Sequence, residues 1–264
     1  MKHWIDHLGR LVEIPKEPKR IISLCPSLTE TLFALGLSHQ IVGRTRFCIH
    51  PAPQVSLKQN VGGTKQVDYT VIDRLQPDLL IAEKEENTKE MIGVLEQKYP
   101  VYVVNVESVE QAQQAILDLG AITLRNEKAW QLVKDIRSSF AQAKRAASWR
   151  VVYLIWKDPY MAVGTPTYID SLFTYFGWIN LGSELPGRYP TITLEDLRRL
   201  RPDVVFLSSE PYPFKEKQVR EIQEELQSAR VLLIDGEIAW YGVRMQKAVQ
   251  EMERVRVLVE EIAQ

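Results

Sequence analysis

Two fifteen-residue segments of this chain resemble each other, and this repeat restricts the fold more than any other feature. Residues 68–82 and 193–207 each hold a short helical stretch, then Leu-X-Pro-Asp, then an apolar run. Pro77 and Pro202 occupy the same place in the two copies, 125 residues apart. Other strand-then-helix segments recur in the same order at a similar offset, as in a duplicated unit. The sequence therefore predicts two similar lobes.

Each lobe is predicted to be of the α/β class. Short apolar runs rich in β-branched residues alternate with helical patterns, and such runs are typical of strands covered on both faces. Strands separated by helices favour right-handed βαβ units and mostly parallel sheets. The predicted strands are residues 20–25, 79–82, 101–104, 151–155, 204–207 and 231–234. The expected fold is two similar doubly wound lobes with mostly parallel sheets, joined by one long α-helix.

Capping patterns mark several helix starts. Ser27 with Glu30 forms a capping-box pattern before a helix that Gly36 should end. Similar starts are predicted at Thr167 with Asp170, Ser108 with Gln111, and Thr193 with Asp196.

The joining helix is predicted over residues 126–147, which contain neither Pro nor Gly. Its apolar stripe is Trp130, Val133, Ile136, Phe140 and Ala143, and a helix of about 20 residues would be about 30 Å long. The resulting division is a leader at 1–18, lobe 1 at 19–122, the helix at 126–147 and lobe 2 at 150–264. Residues 19–264 together form one binding domain.

Composition and motifs exclude several functions. Lys and Arg total 33 against 34 Asp and Glu, and this net charge of −1 argues against a nucleic-acid partner. The dinucleotide, P-loop, nucleophile-elbow and zincin motifs are absent from the sequence. All four histidines lie in the first 50 residues, so a metal site with ligands from both lobes is not expected. The N-terminus shows no secretory signal, so the protein is either cytoplasmic or has lost that signal.

Parallel sheets bind ligands at the carboxyl ends of their strands, so the binding site is expected between the lobes. Aromatic and acidic residues cluster in loops after the predicted strands of lobe 2, and aromatic-lined sites suit bulky, flat or macrocyclic ligands. About half of the aromatic rings are expected to line the site and the rest to pack. For His50, a solvated loop position is as good an interpretation as a ligand contact. The candidate ligand-binding residues are His50, Trp156, Tyr160, Tyr189, Glu210, Glu237, Trp240 and Tyr241.

Several motifs resemble one family. Residues 20–36 read Arg-Ile-Ile-Ser-Leu-X-Pro-Ser-Leu-Thr-Glu-Thr-Leu-Phe-Ala-Leu-Gly, and Val-Gly-Gly at 61–63 and Leu-X-Pro-Asp-Leu-Leu-Ile at 75–81 follow. These residues resemble the substrate-binding proteins of cobalamin and iron-siderophore ABC importers, the class III, helical-backbone metal-receptor type of periplasmic binding protein. The cobalamin-binding members are the most similar. The resemblance runs from Asp6 to about Val259, and residues 6–15 resemble that family's N-terminal hairpin.

The resemblance implies a non-enzymatic solute-binding protein, monomeric and periplasmic or at the cell surface. It would deliver a metal-bearing macrocycle or chelate (cobalamin, a ferric siderophore or haem) to an ABC importer permease, with no cofactor or metal ligand of its own. It also implies that Glu195 docks the transporter. Two alternatives stay open. One is a two-lobed chelatase, which would need His50 paired with Glu210 or Glu237; the other is a cytoplasmic storage or sensing protein of the same fold.

Cys25 and Cys48 follow strands that are expected to be neighbours in the first sheet. They would either form a disulfide, which would close a loop of about 23 residues, or remain two small buried thiols.

Overall fold

The computed structural model describes residues 1–143 and 148–261, which fall into two compact units. The first unit consists of Met1–Val106, Glu110–Arg137 and Tyr241–Val243. The second consists of Glu107–Val109, Ser138–Trp240 and the chain from Arg244 onward.

The first unit contains an antiparallel hairpin and a five-stranded sheet in which all neighbouring strands are parallel. The hairpin strands are β1 (Lys2–Ile5) and β2 (Leu11–Ile14). The sheet has the order β5-β4-β3-β6-β7, with β3 at Ile21–Ser23, β4 at Ile41–Arg44, β5 at Gln59–Asn60, β6 at Leu79–Glu83 and β7 at Val101–Val104. Its helices are α1 (Pro26–Ala34), α2 (Tyr69–Leu75), α3 (Lys89–Leu95) and most of α4 (Val109–Ile122). The helix α5 (Asn126–Gln142) is assigned to the first unit up to Arg137 and to the second beyond it.

The second unit contains a sheet of the same kind. Its strands β10-β8-β11-β12 are parallel neighbours, and β9 pairs with β8 in the antiparallel sense. The strands are β8 (Arg150–Trp156), β9 (Met161–Ala162), β10 (Ile179–Asn180), β11 (Val204–Ser208) and β12 (Arg230–Ile234). The helices are α6 (Tyr168–Tyr175), α7 (Leu194–Leu200), α8 (Glu216–Glu225) and α9 (Met245–Glu261). The predicted α/β class with mostly parallel sheets is confirmed, and each predicted strand is present.

The repeated Leu-X-Pro-Asp element has the same backbone in both copies. Gln76 and Arg201, the residues at X, have positive φ angles of 44° and 50° and end α2 and α7. The proline that follows each of them cannot continue a helix, so the chain turns directly into the next strand. The sequence repeat is thus a repeated helix stop.

The aspartate of the same element fixes the start of the central strand. The Asp78 carboxylate accepts a hydrogen bond from the Arg20 backbone N–H at 2.9 Å, and Asp203 accepts one from the Arg150 N–H at 2.7 Å. The Arg20 side chain also donates to the carbonyl of Leu75, and the Arg150 side chain donates to the carbonyl of Leu200. Leu75 and Leu200 are the last residues of α2 and α7. The element therefore joins a helix end to a strand start in each unit.

One predicted helix start is wrong. The helix α1 begins at Pro26 with Cys25 as its N-cap, and no side chain caps it. Pro26 takes the first turn because its fixed φ suits that position and it has no N–H to satisfy, which moves Ser27 inside the helix. Thr167 and Thr193 do cap α6 and α7, and Gly36 has the φ of +80° expected after a helix end.

The apolar face of α5 is shifted from the predicted stripe. Val133, Ile136 and Phe140 are buried, whereas Trp130 is 60% exposed. Ala129 is fully buried instead, because it packs where Gly120 of α4 has no side chain. The predicted residues 144–147 of this helix lie outside the described part of the chain.

The N-terminal hairpin is present and covers the edge strand β7. The Asp6 carboxylate accepts from the Val103 N–H at 3.3 Å, and the His7 N–H donates to the Val103 carbonyl at 3.1 Å. Arg10 donates to the Val101 carbonyl at 3.1 Å. These bonds satisfy backbone groups that would otherwise be open to another strand.

Cys25 and Cys48 are both buried and both free. The Cys48 Sγ lies 3.0 Å from Thr29 Oγ1 and 3.2 Å from Thr45 Oγ1. Of the two sequence-based alternatives, the pair of buried thiols is confirmed. Within the described ranges, none of the helices has the length and apolar character needed to cross a membrane.

Candidate functional site

The carboxyl ends of β8, β11 and β12 lie along one edge of the second sheet, because these strands are parallel and in register. Five of the predicted site residues lie at these strand ends or in the chain segments that follow them. Trp156 ends β8 and Tyr160 follows it, Glu210 follows β11, and Glu237 and Trp240 follow β12. The topology thus gathers these residues at the edge where parallel sheets bind ligands.

Trp240 is held by two neighbouring side chains. Its indole Nε1 donates to Glu210 Oε1 at 2.5 Å, which fixes one edge of the ring. The Arg244 guanidinium carbon lies 5.1 Å from the ring centroid and covers one face by a cation–π contact. Arg244 is itself 5% exposed and forms an ion pair with Glu237. Glu210, Glu237 and Trp240 are therefore brought together around a residue that the sequence did not single out.

Trp156 belongs to a second aromatic group. It is 41% exposed and meets Tyr212 edge to face, with ring centroids 5.8 Å apart. Tyr212 in turn contacts Phe214 at 4.7 Å between centroids. Lys157, the next residue along the chain, forms an ion pair with Glu221 at 2.9 Å. An exposed ring backed by two others is suited to stacking on an apolar ligand face.

Tyr160 and Tyr189 lie on segments that are fixed by backbone hydrogen bonds. The Ile192 N–H donates to the Tyr160 carbonyl at 2.9 Å, and the residues beside Tyr189 bond to β9 and the turn after it. Tyr160 is half-buried against the core of the second unit, and this burial raises the pKa of its hydroxyl above the usual value of 10. Tyr189 is also half-buried.

The other two ligand-site candidates belong to the first unit. His50 is half-buried in the loop after β4. Tyr241 is only 7% exposed, and burial raises the pKa of its hydroxyl well above 10, with Glu83 and Cys25 adding to the effect. This is the setting of a packed residue rather than of an open ligand contact.

The carboxyl edge of the first sheet holds a buried carboxylate that was not among the predicted residues. Glu83 ends β6, is 3% exposed, and accepts from the N–H groups of Glu85 at 2.6 Å and Glu86 at 2.8 Å. Burial raises its pKa to about 7 despite these two hydrogen bonds. The neighbouring Asn87 amide donates to the Leu24 carbonyl at 3.1 Å and the Thr64 carbonyl at 2.8 Å. This network orders the turn after β6.

Arg46 and Phe47 lie in the loop after β4 and were also missed. The Arg46 guanidinium carbon is 4.9 Å from the Phe47 ring centroid, and Phe47 is 47% exposed. Arg46 and Phe47 lie in a loop, and Arg244 ends a single 3-10 turn. Neither place has a periodic pattern, and a cation is assigned to an aromatic partner only once the fold is known. Sequence patterns therefore gave no signal for these pairs.

Glu195, the predicted docking residue, is exposed in the first turn of α7. The capping box of that helix uses Thr193 and Asp196, so Glu195 takes no part in it. The equivalent position in α2 is Thr70. The two acids near it are engaged: Asp68 accepts from the Val71 N–H at 3.1 Å, and Asp73 pairs with Lys98 at 2.9 Å.

Among the described residues, no three His, Cys, Asp or Glu side chains are arranged to hold a metal ion. The acids and tyrosines at the carboxyl edges can donate and accept hydrogen bonds, and the exposed rings can stack. The arrangement can therefore bind a ligand by stacking and hydrogen bonding.

The sequence and fold are similar to known binding proteins. A family model described as "Periplasmic binding protein" matches residues 21–232. The vitamin B12-binding protein of Pectobacterium carotovorum subsp. carotovorum strain PC1 is 22% identical over 215 residues, covering 79% of this chain and 78% of the relative. The ABC transporter substrate-binding lipoprotein YvrC of Bacillus subtilis strain 168 is 26% identical over 263 residues, covering 94% and 82%. The structure of the periplasmic heme-binding protein RhuT from Roseiflexus sp. RS-1 superposes with a TM-score of 0.74 at 20% identity, covering 93% of this chain and 99% of that one.

Proposed function

Because this chain belongs to the periplasmic binding protein family, we propose that it is the solute-binding protein of an ABC importer and that its cargo is a metal-bearing macrocycle. The family consists of solute-binding proteins, which supports transport over the chelatase alternative. Relatives named as vitamin B12-binding proteins and as an ABC transporter lipoprotein support the same assignment. In this role the protein acts outside the cytoplasm, as a monomer that meets its permease with cargo bound.

The setting of Trp240 carries the proposal. Its indole is held at one edge by Glu210 and covered on one face by Arg244, so the ring cannot turn freely. A ring that is ordered before binding loses little entropy when a flat ligand stacks on it. Trp156, with Tyr212 behind it, offers a second stacking surface on the same sheet edge. Two ordered aromatic surfaces on one edge suit a broad conjugated ligand better than a small polar solute.

The charges at this edge favour a corrin over haem. Arg244 is paired with Glu237, and Lys157 is paired with Glu221, so both cations are already compensated. A haem carboxylate buried against this edge would have to break one of these pairs or be desolvated without a partner, and either event is costly. The neutral amide side chains of cobalamin can instead accept and donate hydrogen bonds. Cobalamin is therefore the proposed cargo.

Calorimetry of the purified chain with cyanocobalamin, haemin and a ferric hydroxamate siderophore tests the proposal. We expect one-to-one binding of cyanocobalamin and weaker binding of the other two. Tighter binding of haemin would overturn the choice of corrin while leaving the transport role in place. Absence of binding to all three by the folded protein would overturn the macrocycle cargo itself.

A further inference from the structure

Gly236 lies at the first position of a single turn of 3-10 helix, Gly236–Ala239, between β12 and Trp240, and it is buried. A Cβ atom at this position would lie 2.3 Å from Glu210 Cγ and 2.8 Å from Ser208 Oγ. Both distances are shorter than side-chain contacts allow. The Glu210 side chain therefore passes through the space that any other residue at 236 would fill.

Ser208 holds the backbone of Glu210 from the side of the core. The hydroxyl of Tyr153, which is fully buried, donates to Ser208 Oγ at 3.0 Å. The Ser208 hydroxyl in turn donates to the Glu210 carbonyl at 2.5 Å. Because Ser208 and Tyr153 lie on the adjacent strands β11 and β8, the chain of hydrogen bonds starts from the core of the unit.

These contacts form one continuous path from the core to the candidate ligand-stacking ring. Tyr153 fixes Ser208, Ser208 fixes the Glu210 backbone, and Gly236 leaves room for the Glu210 side chain. Glu210 Oε1 then accepts from Trp240 Nε1 at 2.5 Å.

We infer that Gly236 and Ser208 are positioning residues for Trp240: they act through Glu210, and neither needs to touch the ligand. The inference deepens the proposed function and rests on it for its meaning, but the geometry can be tested without any ligand. It assigns a specific role to Gly236. The φ of this residue is ordinary, so its backbone conformation does not by itself require a glycine.

The first test measures the indole N–H of Trp240 in the ligand-free protein by heteronuclear NMR. The Trp240→Phe variant identifies the cross-peak, and Glu210→Gln sets the shift expected when the indole loses its charged acceptor. We expect Gly236→Ala and Ser208→Ala to move the peak in the same direction as Glu210→Gln. Gly93→Ala is the matched control, since a Cβ at Gly93 would have no atom within 4 Å, and it should leave the peak in place.

An unchanged Trp240 peak in folded Gly236→Ala protein would overturn the role of Gly236, and an unchanged peak in Ser208→Ala would overturn that of Ser208. If Gly236→Ala does not fold, Ser208→Ala decides the path from the core to Trp240, and an unchanged peak in that variant overturns the path.

The second test measures the affinity for cyanocobalamin. Gly236→Ala, Ser208→Ala and Glu210→Gln should each weaken binding by about tenfold, the scale of a lost hydrogen bond to a charged group. Combining Glu210→Gln with Ser208→Ala should weaken it little further, because both act on one contact. Fully additive losses would contradict the shared path. If the unmodified protein binds no cyanocobalamin, the proposed cargo fails, while the NMR result still decides the positioning role.

Discussion

His7 Nε2 lies 3.0 Å from Asp118 Oδ2, and His7 Nδ1 lies 3.1 Å from the Asn105 carbonyl oxygen. Both ring nitrogens thus face oxygen acceptors, an arrangement that only the protonated imidazole satisfies completely. Burial by itself lowers the pKa of His7, but the hydrogen bonds to Asp118 and Asn105 and the charges of Asp118 and Asp6 outweigh it. The net result is a pKa above the usual 6.5. The N-terminal hairpin is therefore held to α4 partly by the hydrogen bond between the protonated His7 imidazole and Asp118.

This proton predicts a pH-dependent stability. A histidine whose pKa is raised by folding stabilises the native state fully below its unfolded pKa, and this stabilisation is lost as the pH rises through the folded pKa. At pH 6, His7→Gln should lower the free energy of unfolding by about 1–2 kcal/mol, because a charge-assisted hydrogen bond is lost. The cost should shrink at pH 8.5.

Urea unfolding at both pH values measures the difference. His39→Gln changes an exposed histidine and is the matched control, with no expected effect at either pH. An equal cost of His7→Gln at pH 6 and pH 8.5 would show that the Asp118 contact does not depend on the proton.

Glu83 predicts a second dependence on pH, of separate origin. Its pKa is raised from 4.5 to about 7, chiefly by burial. A carboxyl group with a raised pKa stabilises the fold most below its unfolded pKa, and that stability is lost as the pH rises to the folded value. Gln keeps an oxygen that can accept from the N–H groups of Glu85 and Glu86, but it carries no charge. Glu83→Gln should therefore raise the free energy of unfolding at pH 8 by about 2–3 kcal/mol relative to its effect at pH 4.5.

Denaturant titrations of Glu83→Gln and of Glu224→Gln test this expectation. Glu224 is exposed on α8, so its replacement should change stability little at either pH. Loss of stability in Glu83→Gln at pH 8 would mean that the charged carboxylate is needed for the two backbone hydrogen bonds.

The predicted aromatic contacts can be ranked by mutation. Replacing Trp240, Tyr160 or Tyr189 by Ala should each weaken cyanocobalamin binding by about 1–3 kcal/mol if the ring is buried by the ligand. Trp130→Ala is the matched control, because this ring is 60% exposed on α5. Tyr241→Ala should instead lower stability, since its ring is buried in the first unit. Unchanged affinity in all three of the first variants, with folding intact, would reject the assignment.

The parts of the fold that could be predicted are those set by local chemistry. The Leu-X-Pro-Asp element specifies a helix stop and a strand start through Pro77 and Asp78, and neither depends on distant residues. Thr193 caps α7 for the same reason. The predicted start of α1 was wrong because two local signals compete there, and Pro26 overrides the capping pattern at Ser27.

The site was less predictable because its contacts join residues that are distant in sequence. Glu210 and Trp240 were both identified as candidates, yet nothing in their spacing indicated the hydrogen bond between them. Arg244 was missed because a buried cation is recognised by its partner, here Glu237, and not by its neighbours in sequence. Trp130 was expected in a buried stripe, but Gly120 lets α4 pack against Ala129 instead.

The last prediction concerns docking to the importer. Glu195 is exposed in the first turn of α7, where the capping box leaves its carboxylate unused. The helix dipole alone would favour an acid here by about 0.3–1 kcal/mol. An acid at this position is therefore explained in part by helix stability and in part by the proposed contact with the permease. Glu195→Gln should weaken association with the permease complex in a salt-dependent way, because a rim charge acts mainly through long-range attraction.

The measurement is binding to the permease in lipid nanodiscs at about 50 and 300 mM salt. Exposed charges interact over longer distances at the lower concentration and are strongly screened at the higher one. Glu216→Gln removes an acid from the first turn of α8 and is the matched control. Cyanocobalamin affinity should be the same in both variants. Because Thr70 stands at the equivalent place in α2, Thr70→Glu should strengthen docking if the two units contact the permease in the same way. Equal association of Glu195→Gln and the unmodified protein at the lower salt would leave Glu195 as a helix-start residue only.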